Sequence, residues 1–201
     1  MTDYRALFDL PAETAYFNAA QVGPLPIRAA EAGQAAFRDK LRPWAHTTNQ
    51  LFFDLPESVR GEAARLFNAT ADDIALVPAA SYGLATAARN LDLKSGDEIV
   101  ILDGQFPSNV YTWRALAQQT GAVIKTAKRT ETGTWTQALI AMISSRTRLV
   151  ACGALHWIDG GRIDLEAVSN AAKAQGAALV LDLTQSLGVM EFDVKAVDPD
   201  F

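Results

Sequence analysis

The stretch Ala178-Leu179-Val180-Leu181-Asp182-Leu183-Thr184-Gln185-Ser186-Leu187-Gly188 decides the fold. It opens on an unbroken apolar run, which suits a strand covered on both faces. The run ends in one carboxylate, followed three residues later by an amide and then by a glycine. A buried strand of this kind delivers its acid to the carboxyl edge of a sheet, where open α/β folds bind ligands. No cation stands near Asp182 in sequence, so the acid needs a positive partner or a proton. The ring nitrogen of a pyridinium is one partner that suits it. The structural alternative is that Asp182 caps the turn that follows.

Working outward, residues 98–102, 122–125 and 148–152 read as further strands, and 74–77 as a shorter one. Residues 81–91, 107–119 and 135–143 read as helices between them. Asp164 reads as the N-cap of another helix, running to Ala174 and ended by Gly176. This alternation implies an α/β fold in three layers, a mostly parallel sheet with helices on both faces. Ahead of it, residues 1–25 read as irregular, punctuated by Pro11, Gly23, Pro24 and Pro26. A helix is expected over 26–42, where a proline suits the first turn and Ala29, Ala30, Ala35, Ala36, Phe37 and Leu41 fall at helical spacing. A loop follows over 43–49, then a helix over 56–67 with Val59, Ala63, Leu66 and Phe67 inward. We place the boundary near residue 70, between a helical arm (1–70) and the α/β body (71–201).

Composition narrows the function classes. Of 201 residues 49% are hydrophobic and 20% charged, enough apolar material for a sizeable core and too little charge for disorder. The formal net charge is −5, and Lys125, Lys128 and Arg129 make only a small basic group, which argues against nucleic-acid binding. A single cysteine, Cys152, rules out an internal disulfide framework and fits a reducing, cytoplasmic setting. No apolar run is long enough for a membrane span, and Met1-Thr-Asp-Tyr-Arg does not resemble a signal peptide. Two histidines and one cysteine, far apart, offer no metal-ligand spacing. Neither G-x-G-x-x-G nor G-x-x-x-x-G-K-[ST] occurs.

In a parallel sheet the loops after the strands share one rim, and four of them carry unusual residues. The first is Val77-Pro-Ala-Ala-Ser81-Tyr-Gly83, just before a helix. Free N–H groups, the helix dipole and the Ser81 hydroxyl suit an anion there; a plain serine N-cap is the simpler reading. The second is Leu102-Asp-Gly-Gln-Phe106-Pro-Ser-Asn109. Phe106 precedes a proline just past a strand end, where its ring lies against a planar ligand or packs into the core. The third, Ala154-Leu-His156-Trp157-Ile-Asp159-Gly-Gly-Arg162, crowds His, Trp, Asp and Arg at one strand exit, with two glycines that let the backbone approach a ligand. His156 is read first as structural, ahead of a role as hydrogen-bond donor or acid–base group, and Arg162 as pairing with a surface acid such as Asp164, ahead of a substrate carboxylate. The fourth carries Asp182 and Gln185. Cys152 lies within a strand and reads as a buried small residue, not a nucleophile. His46, in the early loop with Trp44, has no supporting spacing.

Taken in order, these segments resemble the class V aminotransferase group of fold-type I PLP enzymes, which includes cysteine desulfurases, kynureninase and isopenicillin N epimerase. Tyr16-Phe-Asn-Ala-Ala-Gln-Val-Gly-Pro is similar to the family's N-terminal YLNNAATGP segment, which implies substrate contacts at Ala20 and Gln21. Pro78-Ala-Ala-Ser-Tyr-Gly resembles the phosphate-binding turn, implicating Ala80, Ser81 and Tyr82. Phe106-Pro-Ser-Asn is similar to the FPS/T segment of kynureninase, where the ring stacks on the cofactor; desulfurases place His there. Asp182-Leu-Thr-Gln-Ser-Leu-Gly resembles D-x-x-Q/H-x-x-G, with Asp182 on the pyridine nitrogen and Gln185 near the ring's phenolic oxygen. Trp157 falls where desulfurases carry an Asn beside the cofactor.

The resemblance implies pyridoxal 5′-phosphate as cofactor, an amino-acid substrate, aminotransferase, lyase or epimerase chemistry, and a homodimer with the site at the subunit interface. Phe106 leans toward the kynureninase or epimerase branch. One departure stands out. The family's Schiff-base lysine follows the key Asp on the segment after the next strand, and Lys195 comes too early to be it. The resemblance therefore implies that residues 71–201 are the first part of the large domain. The lysine, the rest of that domain and the small C-terminal domain are expected beyond Phe201. The alternative is a non-catalytic fragment or interaction module. A further one is an unrelated doubly wound domain for another phosphate-bearing ligand.

Overall fold

The computed structural model describes residues 4–201; residues 1–3 of the irregular N-terminal stretch lie outside the described residues. Two compact units are distinguished, Met1–Ser58 and Val59–Phe201. The described residues of the first include short 3-10 turns at Tyr4–Leu7, Asn18–Ala20 and Pro43–Ala45, helix α1 (Ile27–Asp39) and a π-helical turn at Gln50–Asp54. Pro26 stands at the N-cap of α1, and none of the residues of α1 is buried. The division falls within helix α2 (Leu55–Leu66), ahead of the boundary expected near residue 70.

The second unit contains α3 (Ala80–Arg89), β1 (Glu98–Leu102), α4 (Ser108–Thr120), β2 (Val123–Ala127), α5 (Trp135–Met142), β3 (Thr147–Cys152), α6 (Leu165–Lys173), β4 (Ala178–Leu181) and α7 (Val194–Val197). The four strands form one parallel sheet in the order β2-β1-β3-β4. Alternation along β1 sorts the two faces, since successive side chains of a strand point to opposite sides. Val100 and Leu102 join Val150, Cys152 and Leu179 beneath Trp135 and Leu139 of α5 and Val168 of α6. Ile99 and Ile101 join Leu149, Ala151 and Val180 beneath Leu84 of α3 and Trp113 of α4. The three-layer, parallel α/β architecture read from the sequence is the one found.

Helix ends follow local chemistry. Thr134 caps α5 by accepting the Gln137 N–H, and the Gln137 side chain answers the Thr134 N–H. The Asp164 side chain accepts the Ala167 N–H at the start of α6, as its position in the sequence implied. Beyond β4 the chain returns, and Phe201 lies hydrogen-bonded against its outer edge. The Phe201 N–H donates to Leu179 O at 3.3 Å and the Leu181 N–H to Phe201 O at 3.0 Å.

Three local expectations are corrected. Residues 74–77 are extended but pair with no strand among the described residues; strand propensity without a ladder partner does not make a strand. In α2 the buried residue is Ala64, while Val59 and Leu66 are exposed and Ala63 and Phe67 only half-buried. The inward stripe is therefore one position out of phase with the expected one. The strand ending the opening stretch stops at Leu181, leaving Asp182 just outside it.

Candidate active site at the carboxyl edge of the sheet

Strand order reverses between β1 and β3, so the crevice outside their carboxyl ends is the topological switch point, the usual ligand position in such sheets. A cavity of about 270 Å³ lies there, walled by the loops after β1, β3 and β4 and by the start of α3.

The Asp182 backbone is held by the sheet: its N–H donates to Cys152 O at 2.9 Å. A Cβ on Gly153 would stand 2.7 Å from the Asp182 carbonyl oxygen, so only glycine lets these strand ends approach so closely. The carboxylate is half-buried. Its Oδ1 accepts the Thr184 hydroxyl at 2.6 Å and the Thr184 N–H at 3.2 Å. The turn-capping alternative thus describes Oδ1. Oδ2 has no hydrogen-bond partner and the group no salt bridge among the described residues. Gln185 and Ser186 continue this wall.

Ala79, Ala80 and Ser81 form the opposite wall at the start of α3. Ala79 occupies the N-cap without a side-chain cap bond, and Ser81 is the second helical residue. Ser81 is thus not the N-cap its position suggested; the Tyr82 N–H donates to Ala79 O at 2.9 Å, while the Ala80 and Ser81 N–H groups have no partner among the described residues. Tyr82, one residue on, is 61% exposed and does not line the cavity.

Phe106 and Trp157 close the cavity from the β1 and β3 loops. Their rings meet edge to face with centroids 5.4 Å apart, and the Trp157 indole N–H donates to Gly104 O at 2.7 Å. Phe106 is 47% exposed, so it packs at the rim rather than in the core. Beneath them His156 is buried and stacked on Trp135 at 4.2 Å. Its Nε2–H donates to Asp103 O at 3.0 Å and Nδ1 stands 3.2 Å from Asp159 Oδ1. With both nitrogens engaged, His156 ties the β1 and β3 loops together, the structural reading of the sequence.

Asp159 is the node of that brace. It accepts the Gly161 and Trp135 N–H groups and pairs with Arg129 at 2.8 Å. The Gly161 N–H, with the Trp135, His156 and Arg129 contributions, holds its carboxyl below the usual carboxylate range against the opposing effect of burial. The glycines expected to approach a ligand do not: Gly161 packs against Trp135, and neither Gly160 nor Gly161 lines the cavity. Arg162 does not line it either and forms no ion pair with Asp164. Burial pushes the Cys152 thiol up to about 12, which removes it as a nucleophile. Ala20 and Gln21 belong to the first unit, at an exposed 3-10 turn where Gln21 Oε1 accepts the Asn18 amide at 3.2 Å. Among the described residues no cluster of His, Cys, Asp or Glu is placed to hold a metal, and no helix is long and apolar enough to cross a membrane.

The structure thus brings Ala80, Ser81, Phe106, Trp157, Asp182 and Gln185 to one cavity. Thr184 and Gly153 were not read from the sequence. A threonine two positions after an acid is the signal for the first, because that spacing closes a side-chain turn.

Known proteins are similar to this chain in sequence and in fold. The Aminotransferase class-V family model matches residues 29–201. A probable cysteine desulfurase of Pyrococcus abyssi is 29% identical over 204 residues, 99% of this chain and 51% of that protein. Kynureninase of Deinococcus radiodurans is 28% identical over 206 residues, 98% of this chain and 48% of that protein. Among solved structures, a C-DES mutant with glycine covalently linked to its PLP cofactor has a TM-score of 0.89 at 24% identity, covering 99% of this chain and 54% of that one. The apo cysteine desulfurase of Thermococcus onnurineus NA1 has a TM-score of 0.84 at 25% identity, covering 98% of this chain and 51% of that one. The chain spans about half the length of these relatives, and from its sequence and fold together it belongs to the class-V aminotransferase family.

Proposed function

We propose that the protein is a PLP-dependent enzyme acting on an amino acid, with aminotransferase, lyase or epimerase chemistry, and that the switch-point cavity holds the cofactor. The observation that carries the reading is the character of Asp182. Among the described residues it is the only ionisable side chain lining the cavity, it lacks a cationic partner, and one carboxylate oxygen has no partner. A half-buried acid in that state suits a ligand that brings its own positive charge.

The remaining walls fit the same group. The unpaired N–H groups at the start of α3 and the Ser81 hydroxyl suit a phosphate, aided by the helix dipole. Phe106 offers an aromatic face at the rim, with Trp157 against its edge. The Gln185 amide suits a ring oxygen, with its donor and acceptor both available. When bound, a protonated pyridine ring takes up negative charge that develops at the α-carbon of an amino acid. Asp182 keeps the proton on the ring nitrogen. Ser81 and α3 anchor the far end, and Phe106 and Trp157 shield one side from water.

The sequence likeness at Ala20 and Gln21 supports substrate contacts there, Tyr82 is kept with the phosphate turn on the same ground, and residues 71–201 are read as the first part of the cofactor-binding large domain behind an arm of residues 1–70. A homodimer is supported by the apolar surface of the first unit, where Phe17, Phe37, Trp44, Phe52 and Phe53 are exposed. A cytoplasmic setting accords with the single, buried cysteine.

Binding without turnover is the second reading: among the described residues no lysine lines the cavity, and the family resemblance expects that lysine beyond Phe201. The full-length protein, purified and mixed with pyridoxal phosphate, separates the cases. A near-visible absorbance band bleached by borohydride, with turnover of an amino acid, supports the enzyme. A band lost on dialysis and indifferent to borohydride supports binding alone. A colourless protein that takes up no pyridoxal phosphate overturns both.

A further inference from the structure

We infer that the Thr184 hydroxyl is a positioning group for Asp182, fixing which carboxylate oxygen meets the cofactor ring; this rests on the reading of the cavity as a pyridoxal phosphate site. The Asp182 backbone is set by the ladder to Cys152 and by the close approach at Gly153. Neither constraint fixes the side chain, whose carboxylate torsion is soft and two-fold. Nor does a cation orient it, as no salt bridge reaches the group among the described residues. Orientation comes from one residue. Thr184 gives both its N–H, at 3.2 Å, and its hydroxyl, at 2.6 Å, to Oδ1.

The hydroxyl bond is short, as expected for a donor to an ionised acceptor, and such bonds are stronger than neutral ones. Oδ1 is thereby saturated and Oδ2 left for the ligand. The β-branched side chain of Thr184 restricts its own χ1, which keeps the hydroxyl aimed. The arrangement parallels metal sites, where the groups hydrogen-bonded to a ligand residue set its direction and affinity.

Two substitutions isolate the hydroxyl. Thr184→Val keeps the branched shape and the backbone N–H but loses the hydroxyl; Thr184→Ser keeps the hydroxyl. In the full-length protein two quantities are measured: the dissociation constant for pyridoxal phosphate, and the pH at which the bound cofactor's absorbance reports loss of the ring-nitrogen proton. With T184V, affinity falls about tenfold and the spectral transition moves to lower pH, because a misaligned carboxylate holds that proton less firmly. T184S stays near wild type in both. A purely structural role would lower the unfolding midpoint without moving the transition. Should T184V not fold, Thr184→Ala and T184S carry the same comparison. If wild type binds pyridoxal phosphate and the hydroxyl-deleted variant matches it in both quantities, the inference is overturned alone. If wild type binds none, the reading of the cavity falls and the inference with it.

Discussion

The two carboxylate oxygens of Asp182 stand in different surroundings. Its Oδ1 closes a local turn while Oδ2 stays open, so removing the side chain should harm chemistry far more than stability. For Asp182→Ala we expect turnover to drop by roughly a hundredfold or more, since charge stabilisation in a sheltered site is commonly of that order. The unfolding midpoint should stay close to wild type; a large fall would mean that the carboxylate is chiefly structural. The sequence brought Asp182, Ser81, Phe106, Trp157 and Gln185 to notice for one reason: each lies in the loop after a strand or at the start of a helix, and a parallel sheet gathers such positions at one rim. Tyr82 was harder to place because one residue along a helix turns the side chain by about 100°. The brace at His156 was invisible for a different reason. Its stacking partner Trp135 and its acceptor Asp103 are distant in sequence, and nothing local announces tertiary neighbours.

At the level of elements, strands and helices were read well where burial enforces the pattern and less well where it does not. β1 is buried throughout, β3 at every position but Arg148, and β4 at its two central residues, and such cover fixes both existence and register. The segment over 74–77 has the same residue types but no ladder, and in α2 only Ala64 is fully buried, so its phase could not be read from apolar spacing. The meeting of β3 and β4 ends at Gly153 gives an element-scale test. Gly153→Ala would force its Cβ to within 2.7 Å of the Asp182 carbonyl oxygen, and relieving that overlap should cost about 1–3 kcal/mol. Thermal unfolding with and without pyridoxal phosphate should show a lowered midpoint in both cases and a smaller ligand-induced rise in the variant. An unchanged midpoint would mean that the strand ends separate freely. At the opposite wall, Ser81→Ala should weaken pyridoxal phosphate binding by about 1 kcal/mol, with the fold intact, as read by titration of the cofactor's absorbance.

For the molecule as a whole, acid is the expected weak point. Glu98 is 2% exposed at the far end of β1, where it accepts the Ser144 hydroxyl at 2.6 Å and pairs with Arg146 at 2.6 Å. The Ser144 bond first, and then Arg146, hold its carboxyl below its ordinary value of 4.5 despite burial. Asp73, Asp159 and Asp193 are held low as well, chiefly by the Thr70 N–H, the Gly161 N–H and the Asn68 amide respectively. A carboxyl lowered in the folded state adds stability that is fully present above its unfolded value and is lost as pH falls through the folded one. Unfolding midpoints measured from neutral pH downward should therefore hold steady and then drop below about pH 4.5. Glu98→Gln should start lower and fall less steeply; a profile parallel to wild type would remove Glu98 from the acid response. The indole pinned between the Gly104 carbonyl and the Phe106 ring has an optical consequence of its own. A chromophore seated in the neighbouring crevice would drain the excited state of Trp157, so occupancy could be followed by the dimming of ultraviolet emission, without any label and before any substrate is known.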